Sequence, residues 1–170
     1  MIPGIRFATP GLHWIVIPIV HTDQDIKKVF ESGLRSLARR EHSTLELARK
    51  LRTKGFSQEH ISQVLQELTM QGYLSDQRFT ENYIRYRLNS GWGPVIIVQE
   101  LLDKGVLQAL IDEQMVLLAE DWVLRADQVR QKKFGSGLPK TFAEEVKQKR
   151  FLQYKGFTLD QIDRIFKSKF

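Results

Sequence analysis

The chain has 170 residues, of which 42% are hydrophobic and 27% charged. That balance excludes a disordered or collagen-like protein and leaves room for one domain or a few very small ones. It carries 26 Lys and Arg against 20 Asp and Glu, net +6, which suits a polyanion or an acidic protein surface as partner and equally suits simple solubility.

No cysteine is present, so disulfides, thiolate zinc sites and cysteine nucleophiles are removed together, in keeping with a reducing cytosol. The apolar run Leu12–Val20 is far shorter than the roughly 20 residues a spanning helix needs. It also lacks a basic n-region and a small-residue cleavage site. The expectation is a soluble cytoplasmic protein with no membrane partner.

Residues 1–25 form an extension with three prolines and a β-branched run, for which a strand, a docked tail and a disordered arm are all open. Ile26, Val29, Phe30, Leu34 and Leu37 then fall on one helical stripe. Ser43-Thr44-Leu45-Glu46 reads as a capping box opening a second helix. Ser57 is the N-cap expected for a third, whose apolar face is Ile61, Val64, Leu65 and Leu68.

The pattern then starts again. Ser75-Asp76 opens a helix with the stripe Phe79, Tyr83 and Tyr86, and Gly93-Pro94 opens the next, with proline tolerated in the first turn. Ile111, Met115, Leu118 and Trp122 continue the stripe in the helix that follows. Gly135-Ser136-Gly137-Leu138-Pro139 breaks the chain, and Phe142, Val146 and Leu152 carry a further helix.

Three segments share a frame: Leu51 to Lys54-Gly55-Phe56, Leu101 to Lys104-Gly105-Val106, and Leu152 to Lys155-Gly156-Phe157. Each glycine is followed six residues later by isoleucine: Ile61, Ile111 and Ile162. A glycine at this place ends a helix in the left-handed conformation, with Lys near the negative end of the helix dipole. The expected fold is therefore all-α. Three tandem three-helix repeat units, 26–75, 76–121 and 122–170, form an elongated, curved helical array whose neighbours share cores.

The chemistry of catalysis is missing. There is no GxxxxGK[ST] loop, no GxGxxG and no GxSxG elbow. His13, His21, His42 and His60 lack HxxxH or HExxH spacing and read as solvated or capping residues. The pairs Asp112-Glu113 and Glu144-Glu145 point about 100° apart on a helix and read as solvated faces. We expect a binding protein without cofactor or metal, and no enzyme. Phe56, Phe157, Tyr83 and Tyr86 read as core, and so does Trp92 despite its turn.

Charge is uneven along the chain: net +4 over residues 26–75, −3 over 76–120 and +6 over 121–170. Basic residues gather around the first and third repeated glycines, as Arg49, Lys50, Arg52 and Lys54, and as Lys147, Lys149, Arg150 and Lys155. Such clusters suit phosphate or acidic protein loops.

Ala38-Arg39-Arg40-Glu41-His42-Ser43 with Lys54-Gly55-Phe56 strongly resembles the opening of the RecX regulatory proteins. Gly72-Tyr73-Leu74-Ser75-Asp76-Gln77-Arg78-Phe79, Gly93-Pro94 and Glu100 to Gly105 look like that family's central signature. Arg150-Phe151-Leu152 to Phe157 is similar to its C-terminal segment. The resemblance implies tandem three-helix units and a partner, the RecA recombinase filament on DNA. It also implies a role in restraining the filament's ATP hydrolysis, strand exchange and co-protease activity. On this reading Arg39, Arg40, Lys50, Arg52, Lys54, Arg85, Arg87, Lys147, Lys149, Arg150 and Lys155 are the expected contact residues of a monomer. Binding to single- or double-stranded DNA alone is expected to be weak. The alternative is a non-sequence-specific DNA-binding helical protein that uses the same clusters on phosphates directly.

Overall fold

The computed structural model describes residues 24–118 and 121–167, and within them every regular element is a helix. The elements are α1 (Gln24–Leu37), α2 (Thr44–Thr53), α3 (Gln58–Met70), α4 (Asp76–Asn89), α5 (Pro94–Asp103), α6 (Gln108–Leu117), α7 (Trp122–Phe134), α8 (Phe142–Tyr154) and α9 (Leu159–Lys167). Among the described residues, no helix is long and apolar enough to cross a membrane.

The helix starts follow from their caps. Ser43, Ser57 and Ser75 each accept from the backbone N–H three residues on, and Gly93 precedes Pro94 at the first turn of α5. The stops follow from glycine: Gly55, Gly105 and Gly156 have φ of 86°, 77° and 86°, a region L side chains enter only with strain.

Within each unit the first and third helices pack on each other and the middle helix closes the bundle: α1 with α3, α4 with α6, α7 with α9. The expected shared cores resolve into three clusters. Val29, Leu47, Leu51, Ile61, Val64 and Leu68 centre the first. Phe79, Ile84, Ile97, Leu101 and Ile111 centre the second, and Ala126, Leu152, Phe157 and Ile162 the third. Among the described residues, Trp122 alone packs against both the second and third. It belongs to α7 and not to the helix carrying Ile111, because α6 ends at Leu117.

Two stripes differ from the sequence reading. The buried face of α4 is Phe79, Thr80, Ile84 and Leu88. Tyr86 stands two residues from Ile84 and from Leu88, about 200° away at 100° per residue, and is 63% exposed instead of core. Phe142, expected to carry α8 into the core, is 82% exposed because it stands at the first turn, beyond the reach of the bundle.

The units meet through their middle helices, placed end to end. The Lys104 carbonyl, at the C-terminus of α5, accepts from the Ser43 hydroxyl at the N-terminus of α2 (2.7 Å). The Lys155 carbonyl, at the C-terminus of α8, accepts from the Gly93 N–H at the N-terminus of α5 (2.7 Å), and Gly156 carbonyl accepts from the Val95 N–H (3.1 Å). At the second joint the N-terminal N–H groups of α5 thus meet the C-terminal carbonyls of α8, and at the first the capping hydroxyl of α2 takes that part.

The glycines differ accordingly. A Cβ on Gly105 would lie 2.8 Å from Leu45 Cβ, and one on Gly156 would lie 2.9 Å from the Ile96 nitrogen, whereas one on Gly55 meets no described atom within 4 Å. Gly55→Ala should therefore cost only the left-handed strain, about 1–2 kcal/mol. Gly156→Ala should cost that plus overpacking of about 1–3 kcal/mol. Urea denaturation of the two variants checks this; equal losses would mean that the second joint yields without cost.

Candidate functional site

The first joint is an ionic seam. Lys104 Nζ reaches Glu46 Oε1 at 2.9 Å, and Arg40 Nη1 reaches Glu46 Oε2 at 2.9 Å. Arg78 pairs with Glu41 across the same seam (2.8 Å), and the Thr44 N–H donates to Asp76 Oδ1 (2.7 Å). The Glu46 carboxylate is thus turned toward the neighbouring unit. Burial pushes the Glu46 carboxyl up, but the hydrogen bonds from Lys104 and Arg40 outweigh that and hold it below the ordinary value.

His42, expected to be solvated or capping, is buried. Its Nδ1 faces the Arg40 carbonyl at 3.0 Å and its Nε2 faces Lys50 Nζ at 3.4 Å. A carbonyl only accepts and an ammonium only donates, so the proton sits on Nδ1 and the ring is neutral. Burial, opposed by the carbonyl, lowers its pKa. Beside the seam, Phe79, Tyr83 and Tyr86 with Asn82, Arg40 and Lys104 line a groove of about 490 Å³ that also holds Glu41 and Glu46.

The second joint carries different chemistry. Trp92 lies under Lys155 (Nζ 4.2 Å from the ring centroid) and Arg87 (4.9 Å), and beside Tyr154 (6.0 Å). The adjoining cleft, about 440 Å³, is lined by Arg125, Lys132, Lys133 and Lys155 with Asn89, Ser90, Gln128 and Phe151, and among the described residues by no carboxylate. Four cations lining one recess concentrate positive potential there.

The eleven expected contact residues divide by what holds them. Arg87 bonds Glu100 and packs on Tyr83 and Trp92, tying α4 to α5. Arg40 is committed to Glu46. Lys149 bridges Glu145 (2.9 Å) and Asp163 (3.0 Å), and those hydrogen bonds raise its pKa. Arg85 makes an exposed pair with Glu81. Lys50 turns to His42, Arg52 to Gln58 (2.6 Å), and Lys54 to Ser32 Oγ (2.6 Å). The first basic group is therefore spread around α2 instead of gathered. Arg49 even reaches the Asp103 carbonyl in the next unit (3.3 Å). Arg39, Lys147 and Arg150 are exposed, and Lys155 lines the cationic cleft.

Three cleft residues escaped the sequence reading: Arg125, Lys132 and Lys133. The Lys132-Lys133 pair in the last turn of α7, just before Gly135, was the available signal. Arg130, two residues earlier, points the other way and is 1% exposed. It bonds Asp127 (2.7 Å), the Gly137 carbonyl (2.8 Å) and Gln148 (3.4 Å), pinning the 135–141 loop to α7. Among the described residues, no three His, Cys, Asp or Glu gather as a metal site.

This arrangement has relatives. The sequence matches the RecX first three-helix domain over residues 30–68, the second over 75–115 and the third over 120–166. It is 44% identical over 140 residues to the regulatory protein RecX of Legionella pneumophila (strain Corby), covering 82% of this chain and 93% of that one. The chain belongs to the RecX family. It is also 42% identical over 134 residues to the regulatory protein RecX of Halorhodospira halophila, covering 79% and 83%. A crystal structure of RecX from Lactobacillus salivarius superposes with a TM-score of 0.71 at 24% identity, covering 84% of this chain and 94% of that one. A second RecX crystal structure gives 0.73 at 23%, covering 84% and 73%. The RecX fold, three tandem three-helix domains, is thus the fold of this chain.

The seam has a pH signature. Because the Glu46 pKa is depressed in the folded state, its pairing stabilises the fold above the ordinary glutamate value of about 4.3. That contribution is lost as pH falls through the folded value. Glu46→Gln should therefore melt earlier than the parent at pH 7, with the gap closing as pH drops below about 4. Thermal melts across that range check it; a gap independent of pH would place the role of Glu46 in packing instead of charge.

Proposed function

We propose that this protein restrains the RecA recombinase by binding its filament on DNA in the cytoplasm. Lying along the filament groove, it slows ATP hydrolysis, strand exchange and co-protease activity. The observation that carries the reading is the cationic cleft at the second joint, lined by no carboxylate among the described residues, in a chain whose curated relatives are named regulatory proteins. Inhibition of this kind needs no catalytic group, only a higher affinity for one filament state than for another.

Arg125, Lys132, Lys133 and Lys155 form the centre of the contact, flanked by Lys147 and Arg150. Arg39, Arg52, Lys54 and Arg85, exposed cations of the other two units, extend it. Arg87, Lys149 and Arg40, held by their carboxylates, support the fold behind it. The acidic middle unit disfavours continuous wrapping of bare DNA and suits a groove lined by both protein and phosphate.

The test is the single-strand-dependent ATPase of RecA at fixed salt. The full chain should slow turnover at less than equimolar ratio. Lys132→Glu with Lys133→Glu should melt like the parent, since exposed changes shift stability by only about 0.5 kcal/mol each, yet lose tenfold or more in inhibitory potency, roughly 1.4 kcal/mol of contact. Unchanged RecA turnover with the parent chain bound sinks the filament reading. Full potency in the double variant sinks the cleft.

Bare DNA separates the alternative. If about four phosphates of a single strand are neutralised, log K should fall against log[salt] with a slope near −3, from a weak starting affinity. Tight bare-DNA binding that RecA does not improve would favour the plain DNA-binding reading.

A further inference from the structure

The end-to-end joint occurs twice inside the chain, and each occurrence uses one half from each of two neighbouring units. The receiving half is the N-terminus of a middle helix, and the entering half is the Lys-Gly turn that ends the next middle helix. Three units contain three of each half, so two halves stay unmatched. One is the α8 N-terminus, Thr141 to Glu144, and the other is the α2 C-terminal turn, Lys54-Gly55-Phe56.

Both unmatched halves look like joints before closure. Ser43 and Gly93, the N-caps in the closed joints, are buried, whereas their counterpart Thr141 is exposed. Val106 and Phe157, which follow the glycines of the closed joints, are each 3% exposed, whereas Phe56 is only half-buried. Gly55 keeps φ of 86° with open space where Gly105 and Gly156 touch a neighbour.

The chemistry of the two open halves is complementary. Thr141 caps α8 as Ser43 caps α2, each accepting from the N–H of a glutamate three residues on, Glu144 and Glu46. In the closed joint the Ser43 hydroxyl donates to the Lys104 carbonyl and Glu46 takes the Lys104 ammonium. In α8 the Glu144 carboxylate instead turns back onto the Lys140 N–H at 2.8 Å. Lys54 is the counterpart of Lys104, and Phe142 stands exposed beside the open end.

We propose that a second copy of this chain docks there: the Lys54-Gly55 turn of one copy seats on the α8 N-terminus of another, with Lys54 on Glu144 and Thr141 on the Lys54 carbonyl. The contact is heterologous, so it extends copies head to tail without closing a ring. It rests on the joint geometry alone and stands or falls independently of the filament reading. A single joint of this size gives a weak contact, one that a shared linear scaffold strengthens by raising local concentration.

Sedimentation velocity of the full chain tests it. The sedimentation coefficient should rise with concentration and pass beyond the dimer. Lys54→Glu alone and Glu144→Lys alone should each weaken association by roughly tenfold or more. Mixing the two variants should restore it, because Glu at 54 of one copy then faces Lys at 144 of the other. A parent that sediments as monomer throughout overturns the proposal. So does a mixture no more associated than its components.

Discussion

The fold depends on one way of joining helices. A helix end leaves four N–H or four C=O groups without intrahelical partners. Here the C-terminal carbonyls of α5 and α8 are placed against the N-terminal donors of α2 and α5. Close approach of two backbones needs a glycine on the entering side, because Leu45 and Ile96 occupy the space where a side chain would stand. The second joint asks for glycine on the receiving side too. A Cβ on Gly93 would lie 2.6 Å from the Phe157 nitrogen.

That joint also decides which charges remain for a partner. The seam between the first two units uses Arg40, Lys104 and Arg78 with Glu46 and Glu41. Arg87 is taken by Glu100, Lys149 by Glu145 and Asp163, and Arg130 by the 135–141 loop. Pairs that are partly buried are costly to break, because the surviving charge is left with poor solvation. These residues are therefore poor places to look for a surface that must exchange partners.

A different set of cations gathers where the second and third units meet. The cleft there combines four cations, two of them in the last turn of α7, with aromatic surface from Phe151 and neighbouring Trp92. The first joint offers a groove with aromatic walls, but its two cations and two carboxylates nearly cancel. The two joints share a backbone plan and differ in electrostatic character.

The sequence by itself determined the all-α class, the caps at Ser43, Ser57, Ser75 and Gly93, and the three glycine stops, because each is set by contacts within a few residues. It also determined most of the apolar stripe of each unit and the family. Tertiary structure decided what depends on residues far apart in the chain. It showed that the repeated glycines are joints and not merely helix ends, and that Tyr86 and Phe142 face outward. Only packing could show that Arg130 and Lys132, two residues apart, stand in a buried loop clamp and an open cationic cleft. A formal charge is local and is read from composition. Whether it is free for a partner depends on which carboxylate or carbonyl the fold brings within reach.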